Sequence, residues 1–282
     1  MKETWTILKV LNWTKGYLTE KGVENARLES EWLLSAALGL DRVGLYVNFD
    51  RPLTAPELAG IRTLVARRAR REPLQYILGS QEFYGLEFEV APGVLIPRHD
   101  TEVLVREAVN RAGKGAEILD IGVGSGCIAV ALATALPDAV VCGVDPSPEA
   151  LALAERNAQR HGVSLSLFRG SLFEPFQARE FDLIVSNPPY IPTPDLTGLQ
   201  PEVRDYEPRG ALDGGADGLD FYRLIIPGSL SRLRAGGWLL LEMGIGQAGD
   251  LQAMFRATGS FGELFTARDP GGIDRVVGGR RL

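Results

Sequence analysis

The chain has little of what several common kinds of protein require. It has two cysteines, Cys127 and Cys142, in apolar surroundings without metal-ligand spacing; they read as small buried hydrophobes, and no metal is expected. Its most apolar stretch, CIAVALATAL, is ten residues long and stops at Pro137-Asp138, too short to span a bilayer, so no membrane partner is expected. The opening MKETWTILKV carries Lys2, Glu3 and Lys9 where a secretory signal needs an apolar core, and the chain is expected to be cytoplasmic. No G-x-x-x-x-G-K-[ST] string is present, which excludes a P-loop triphosphate cradle. There is no internal repeat and no low-complexity tract.

Clustered positive charge is scarce too. The net charge is −6, but residues 1–75 hold 12 of the 30 Lys/Arg and 9 of the 36 Asp/Glu, net +3, leaving −9 for the remainder. A catalytic half this acidic is a poor host for a nucleic-acid backbone and suits a cationic ligand or a basic protein partner. Arg67 to Arg71 form the one basic cluster, read as a solvated helix face.

With 282 residues, 45% hydrophobic and 23% charged, the chain can bury a real core in one large or two ordinary domains. Residues 1–75 are helical in pattern. VENARLESEWLLSAALGL puts Ala26, Leu33, Ala36, Ala37 and Leu40 near one face, and TAPELAGIRTLVARRARRE opens with Thr54 and Glu57 at capping-box spacing. Its stripe of Leu58, Ile61, Leu64 and Val65 leaves Arg67, Arg68, Arg70 and Arg71 mostly outside. Residues 76–97, rich in aromatics, glycine and proline, predict a β-hairpin linker. In 98–282 strands at 117–121, 140–144, 164–168 and 181–186 alternate with helices, which predicts an α/β fold with a mostly parallel sheet. A helix is expected over DGLDFYRLIIPGSLSRLRAGG and a strand over WLLLEMG; the unpatterned stretch from Ile191 to Asp217 predicts a lid or binding loop.

The chemistry begins at ILDIGVGSGCIAVAL, a strand, then Gly122, Val123, Gly124, Ser125 and Gly126, then a helix. Glycines there let a ligand approach the backbone at a helix N-terminus, although such a turn alone is a weak signal. Asp145 ends the next strand, where an acid can accept both hydroxyls of a ribose or merely cap the following helix. Beside the glycine turn the ribose reading wins. A ribose acceptor without phosphate machinery suggests a nucleoside cofactor, and S-adenosyl-L-methionine fits, with S-adenosyl-L-homocysteine as its product.

FDLIVSNPPYIP ends a strand on Asn187, Pro188, Pro189 and Tyr190, at the crevice side of an open α/β sheet. The side-chain oxygen of Asn187 and the carbonyl of Pro188 can accept two hydrogens from a methyl-acceptor nitrogen. The prolines preorganise that carbonyl and offer no competing N–H. Tyr190 can stack on a planar acceptor and face a cationic methyl donor. An exocyclic adenine amine suits the same quartet, so an N6-adenine DNA methyltransferase is the rival reading, disfavoured by the acidic catalytic half. His161, before Gly162, is expected to close a helix.

These residues resemble class I methyltransferases, NPPY pointing to the branch that methylates exocyclic nitrogens. REPLQYILGSQEFYGLEFEVAPGVLIPR, DYEPRGALDGGADGLDFYRLI, LLLEMGIGQ, DRVVGGR and ARLESEWLLSAALG narrow the resemblance to the protein-(glutamine-N5) methyltransferases of bacterial peptide chain release factors, over nearly the whole chain. The resemblance implies a seven-stranded Rossmann-like domain and methylation of the glutamine of a Gly-Gly-Gln tripeptide, modulating translation termination. It also implies a helical domain that docks the release factor. A monomer with no direct nucleic-acid substrate is expected. By the same resemblance Gly122 to Gly126, Asp145, Leu172 and Asn187 hold the cofactor. Asn187, Pro188 and Tyr190 are then catalytic, and Asn187 to Tyr190 hold the glutamine. Two departures stand out. His99 in PRHDTE replaces a family proline and is given no catalytic role. FRGSLFEP supplies Ser171 and Leu172 where the family often has an acid beside the adenine, which leaves Leu172 an apolar wall and its backbone.

Overall fold

The computed structural model describes residues 4–282. Contacts divide them into two compact units. One runs to Gly79 and includes Pro201–Tyr206; the other is Ser80–Gln200 with Glu207–Leu282.

The smaller unit is helical: α1 (Ile7–Glu20), α2 (Ala26–Leu38), α3 (Arg42–Val47), α4 (Ala55–Arg68) and α5 (Leu74–Leu78). The Thr54 and Glu57 box forms as expected, each side chain bonding the other's backbone N–H at the start of α4. Ile7, Leu11 and Leu18 of α1, Leu33 and Leu34 of α2, Leu45 of α3, and Ile61 and Val65 of α4 make the core. On α2 the buried face takes in Ser30, Glu31 and Leu34, while Ala36 is exposed, so the expected stripe is rotated. The buried Glu31 causes this: it accepts from Arg42 at 2.5 Å and from the Tyr46 hydroxyl at 2.6 Å, a polar network that apolar periodicity does not register.

The arginine cluster is only in part a solvated face: Arg70 is exposed, but Arg68 is buried. Arg68 is 4% exposed and pairs with Glu29, and with Glu202 at 2.8 Å. Arg71 reaches Glu202 at 2.6 Å, Arg67 reaches Glu72 at 2.5 Å, and Tyr206 donates to the Arg70 carbonyl at 2.6 Å. A guanidinium is buried only when paired, and these carboxylates pair it.

The larger unit starts with a hairpin, β1 (Ser80–Phe83) and β2 (Leu86–Glu89). Its two-residue loop, Tyr84-Gly85, has positive φ at both positions, the geometry that matches strand twist. Residues 76–78, expected in the hairpin, belong to α5, which closes on Gly79 in the left-handed region. There follow α6 (Glu102–Arg111), β3 (Glu117–Ile121), α7 (Cys127–Ala135), β4 (Val140–Asp145), α8 (Pro148–Arg160), β5 (Ser166–Arg169) and β6 (Phe181–Ser186). After a helix at Asp220–Ser229 come β7 (Leu233–Glu242), a helix at Ala248–Ala257, β8 (Phe261–Arg268) and β9 (Asp274–Arg281). The sheet order is β5-β4-β3-β6-β7-β9-β8, parallel except that β9 runs antiparallel to both its neighbours. One apolar layer packs each face, α6 and α7 against one, the Asp220–Ser229 and Ala248–Ala257 helices against the other.

Two expectations shift. The helix from Asp220 ends at Ser229, because Leu233 is fully buried in the pairing with Phe181 and Gly236 has φ +78, a strand irregularity rather than a helical turn. Between Ile191 and Asp217 lie short helical turns at Thr193–Gly198, Pro201–Arg204 and Arg209–Ala211. Part of that stretch, Pro201–Tyr206, packs within the helical unit.

β3 pairs with β4 on one side and β6 on the other, so crossovers leave in opposite directions and a crevice opens beyond their C-terminal ends. Fully buried Asn157 of α8 braces that end. Its Nδ2 donates to the Ser125 carbonyl (2.8 Å) and the Glu89 carbonyl (3.0 Å), and its Oδ1 accepts from Glu89 N (2.8 Å). Asn157→Ala orphans these groups and is expected to lower unfolding free energy by about 2–3 kcal/mol. Urea titration measures it, and a loss below about 0.5 kcal/mol contradicts the brace.

Among the described residues no helix is long and apolar enough to cross a membrane, and no grouping of His, Cys, Asp and Glu suits a metal ion. Cys127 and Cys142 are buried; burial pushes the Cys127 thiol up to about 12. His161 closes α8, its ring nitrogen 2.9 Å from the Glu87 carbonyl.

Candidate active site

The crevice holds a cavity of about 310 Å³. Its floor is the glycine turn after β3. Gly122, Gly124 and Gly126 have φ of +77, +53 and +83, which side-chain-bearing residues rarely adopt. A Cβ on Gly122 would meet no atom within 4 Å, so the backbone there is open to a ligand. A Cβ on Gly126 would lie 3.0 Å from the Cα of Ala154. Gly126 thus lets α7 start against α8 and does not itself line the cavity, whereas Gly122, Val123, Gly124 and Ser125 do.

Asp145 reaches the cavity from the end of β4. Its Oδ2 accepts from Gly124 N at 3.0 Å and its Oδ1 from Ser147 N at 2.9 Å, which orients the carboxylate and leaves lone pairs on both oxygens. Burial pushes its pKa up, opposed by those two amide hydrogen bonds. Ser171 and Leu172 line the cavity just beyond Arg169, the β5 residue paired with Asp145, with Leu172 at φ +52, a left-handed conformation unusual for a bulky side chain. His99 forms no part of the wall; its Nδ1 lies 2.9 Å from Glu102.

The NPPY segment closes the cavity from β6. Asn187, Pro188 and Pro189 line it. The Asn187 Nδ2 donates to Thr101 Oγ1 at 3.1 Å, which leaves Oδ1, on the other branch of the planar amide, as its acceptor. Tyr190 is placed differently. Its ring abuts Gly244, outside the residues that line the cavity, and its carbonyl accepts from Gln247 Nε2 at 3.0 Å. Gln247 Oε1 accepts in turn from Gly244 N at 2.8 Å, so the LLLEMGIGQ segment clamps the proline loop from behind. Burial pushes the Tyr190 hydroxyl up to about 12.

Three polar residues of the site escape a reading of motifs. Thr101, buried before α6, lines the cavity and anchors Asn187. Glu242 ends β7 wholly buried. Asp120, the penultimate residue of β3, is fully buried; the Ala129 amide approaches it, but neither oxygen finds a partner of full hydrogen-bond geometry. A carboxylate inside an apolar strand, as in ILDIG and LLLEMG, is the available signal.

Burial, with Asp145 nearby, pushes Asp120 up to about 8. Folded Asp120 therefore keeps a proton that the unfolded chain loses near pH 4, and its burial costs progressively more stability as pH rises toward 8. Asp120→Asn removes this cost. Its melting temperature relative to wild type is expected to climb between pH 5 and pH 8, by an equivalent on the order of 3 kcal/mol. A pH-independent difference contradicts this.

The comparisons with known proteins agree in kind. Residues 9–79 match the profile of the PrmC N-terminal domain, and residues 98–196 that of the methyltransferase small domain. A methyltransferase crystal structure from Pyrococcus furiosus superposes with a TM-score of 0.54 at 18% identity, over 76% of this chain and 98% of that one, which shows the fold. A release factor glutamine methyltransferase of Moorella thermoacetica is 44% identical over 92% of each chain. One from Geobacter sulfurreducens is 71% identical over 99% of this chain and 98% of its own. With such identity running from the helical unit through the cavity to the last strand, the chain belongs to the release factor glutamine methyltransferases.

Proposed function

We propose that this chain transfers a methyl group from S-adenosyl-L-methionine to the side-chain amide nitrogen, N5, of the glutamine in the Gly-Gly-Gln tripeptide of peptide chain release factors. One observation carries the reading: Asn187 stands in the wall of the switch-point cavity with its N–H held by Thr101 and its oxygen left to accept.

The cavity suits the cofactor. Gly122 is open to a ligand, the Asp145 carboxylate is fixed with lone pairs to spare, and Val94, Ile96, Ile128 and Leu172 give apolar walls. Gly122, Val123, Gly124 and Ser125 would lie along it, Gly126 would set the turn, Asp145 would accept the ribose hydroxyls, and Leu172 and Asn187 would complete the enclosure. When bound, S-adenosyl-L-methionine supplies a methyl group on a cationic sulfur, and the product is S-adenosyl-L-homocysteine.

The rest falls to the chain's own residues. An amide nitrogen is a poor nucleophile because its lone pair is delocalised into the carbonyl. Asn187 Oδ1 and the Pro188 carbonyl accept its two hydrogens, favour a pyramidal nitrogen, and aim the lone pair at the methyl carbon. These bonds strengthen as positive charge develops on nitrogen, so they stabilise the transition state more than the ground state. Once methylated, the nitrogen would be acidic and would shed its proton to solvent, so no general base is needed from the chain. Pro188 and Pro189 form the glutamine's wall, and Tyr190, clamped by Gln247, fixes where that wall ends.

The helical unit is proposed to dock the release factor; Trp13, Trp32, Val43, Val47 and Phe49 are exposed on it. We place the enzyme in the cytoplasm as a monomer. The test offers labelled S-adenosyl-L-methionine with unmodified release factor, its Gly-Gly-Gln glutamine mutant and duplex DNA. Label on the wild-type release factor alone is expected. Label on DNA or on the glutamine mutant overturns the substrate assignment.

A further inference from the structure

Arg98 is an unexpected wall for a cavity that takes a cationic cofactor. Among the described residues lining that cavity it is the only base, and Asp145 is the only acid. The two are tied to different walls. Asp145 accepts from Gly124 N in the glycine turn. The Arg98 carbonyl accepts from Thr101 N at 3.0 Å, and Thr101 Oγ1 accepts from Asn187 Nδ2. The guanidinium is also held in place. Its Nη2 donates to Glu207 Oε1, and Glu207 Oε2 accepts from Ile96 N at 3.2 Å. The Glu207 side chain is 1% exposed and that of Arg98 36%, so the carboxylate is packed away behind a guanidinium that still faces open space. We infer that Arg98, held by Glu207, binds the carboxylate of the cofactor's amino-acid tail.

Charge leads there first. S-adenosyl-L-methionine has two positive groups, the sulfonium and the ammonium, and one negative group, the carboxylate. A fixed guanidinium repels the first two and attracts the third, more strongly inside a cavity than in water. The side-chain amide of the acceptor glutamine is neutral and offers Arg98 no countercharge. Hydrogen-bond geometry agrees. Whichever Nη2 hydrogen Glu207 takes, one complete two-donor edge of the guanidinium remains, and such an edge matches the two oxygens of a carboxylate. Glu207 is the positioning residue: it settles the long Arg98 side chain before the ligand arrives, so less rotamer freedom is lost on binding. With Asp145 at the ribose and Arg98 at the tail, the cofactor would be gripped on both sides of its methyl-bearing sulfur.

This inference rests on the cofactor assigned above, and the experiment separates the two. Titration calorimetry measures binding of S-adenosyl-L-methionine and of its decarboxylated analogue, which differs only in lacking the carboxylate. The proteins are wild type, Arg98→Lys, Arg98→Gln, and Arg98→Gln combined with Glu207→Gln. The combined variant strands no buried carboxylate, and its new amide oxygen can still accept from Ile96 N. Wild type is expected to bind the natural cofactor about 10- to 100-fold more tightly than the decarboxylated one. Arg98→Gln, alone or combined, loses that preference by weakening the natural cofactor only, and Arg98→Lys keeps part of it. Equal weakening of both ligands makes Arg98 a structural partner of Glu207 and overturns the inference. So does a preference that survives loss of the guanidinium, whether or not KM for the release factor rises. Should Arg98→Gln not fold, the combined variant and Arg98→Lys decide by the same ratio. Wild type that binds neither ligand overturns the cofactor assignment; wild type that binds both equally overturns the carboxylate site alone.

Discussion

Alanine at position 187 is expected to lower the rate of methyl transfer by about 10²–10³-fold and to change cofactor affinity far less. The effect is large because the oxygen removed is one of two acceptors on which the reactive shape of the amide nitrogen depends. It is concentrated in kcat because those hydrogen bonds tighten as nitrogen acquires charge. Asn187→Asp sharpens the test. It keeps an acceptor in the cavity, and the Thr101 hydroxyl, which accepts from Asn187 Nδ2 in the wild type, can turn to donate to it. Aspartate is therefore expected to recover part of the rate that alanine loses. Single-turnover rates at saturating cofactor measure both variants. A rate for the alanine variant above about a tenth of wild type rejects the assignment.

The second large effect concerns stability. Arg68→Ala is expected to cost about 3–5 kcal/mol, because it strands Glu29 and leaves Glu202 to Arg71 alone. Burial pushes Glu202 up, and hydrogen bonds from Arg71 and Arg68 more than reverse this, holding it below the usual glutamate value. Its pairing therefore contributes stability above about pH 4.5, and the contribution is lost as pH falls through the lowered value. The penalty of Arg68→Ala should shrink accordingly in acid. Urea titrations at pH 7 and pH 4 measure both parts. Replacing Arg68, Glu29 and Glu202 together by Met, Gln and Gln should recover much of the loss. A single-variant cost below about 1 kcal/mol at pH 7 means the cluster is only surface decoration.

The parts of this molecule legible in sequence are those whose physics is local. The glycine turn, the Thr54 capping box and the strand ending on Asn187 each depend on neighbours a few residues away. What stayed hidden depends on distant partners. Arg68 reads as outward-facing on α4 because the carboxylate that buries it, Glu202, is 134 residues further on. Asn187 and Thr101 are 86 residues apart, so the polarity of the amide could not be read from NPPY alone. Glu242 announces itself as an acid inside LLLEMG without saying that it ends buried with an unpartnered oxygen. The ring of Tyr190 packs beside Gly244, and Gln247, 57 residues on, holds its carbonyl; NPPY announces neither contact. The helix from Asp220 ran on in the sequence reading because SRLRAGG has no strong breaker before Gly236, and only pairing with β6 makes it a strand.

The short turn at Pro201–Arg204 bears on how the protein is made. The helices of the smaller unit leave the ribosome before the sheet, yet one member of that unit, Pro201–Tyr206, is encoded after most of the parallel strands. At roughly 5–20 residues per second, the chain between Arg68 and Glu202 takes on the order of 10 s to emerge. Throughout that interval Arg68 has Glu29 but lacks its second carboxylate, and Arg71 has none of its bonds to Glu202. The bundle that is translated first is therefore completed late, by a segment delivered from within the other unit. A nascent chain halted before residue 202 should carry these helices in a form more open to proteases than the finished protein.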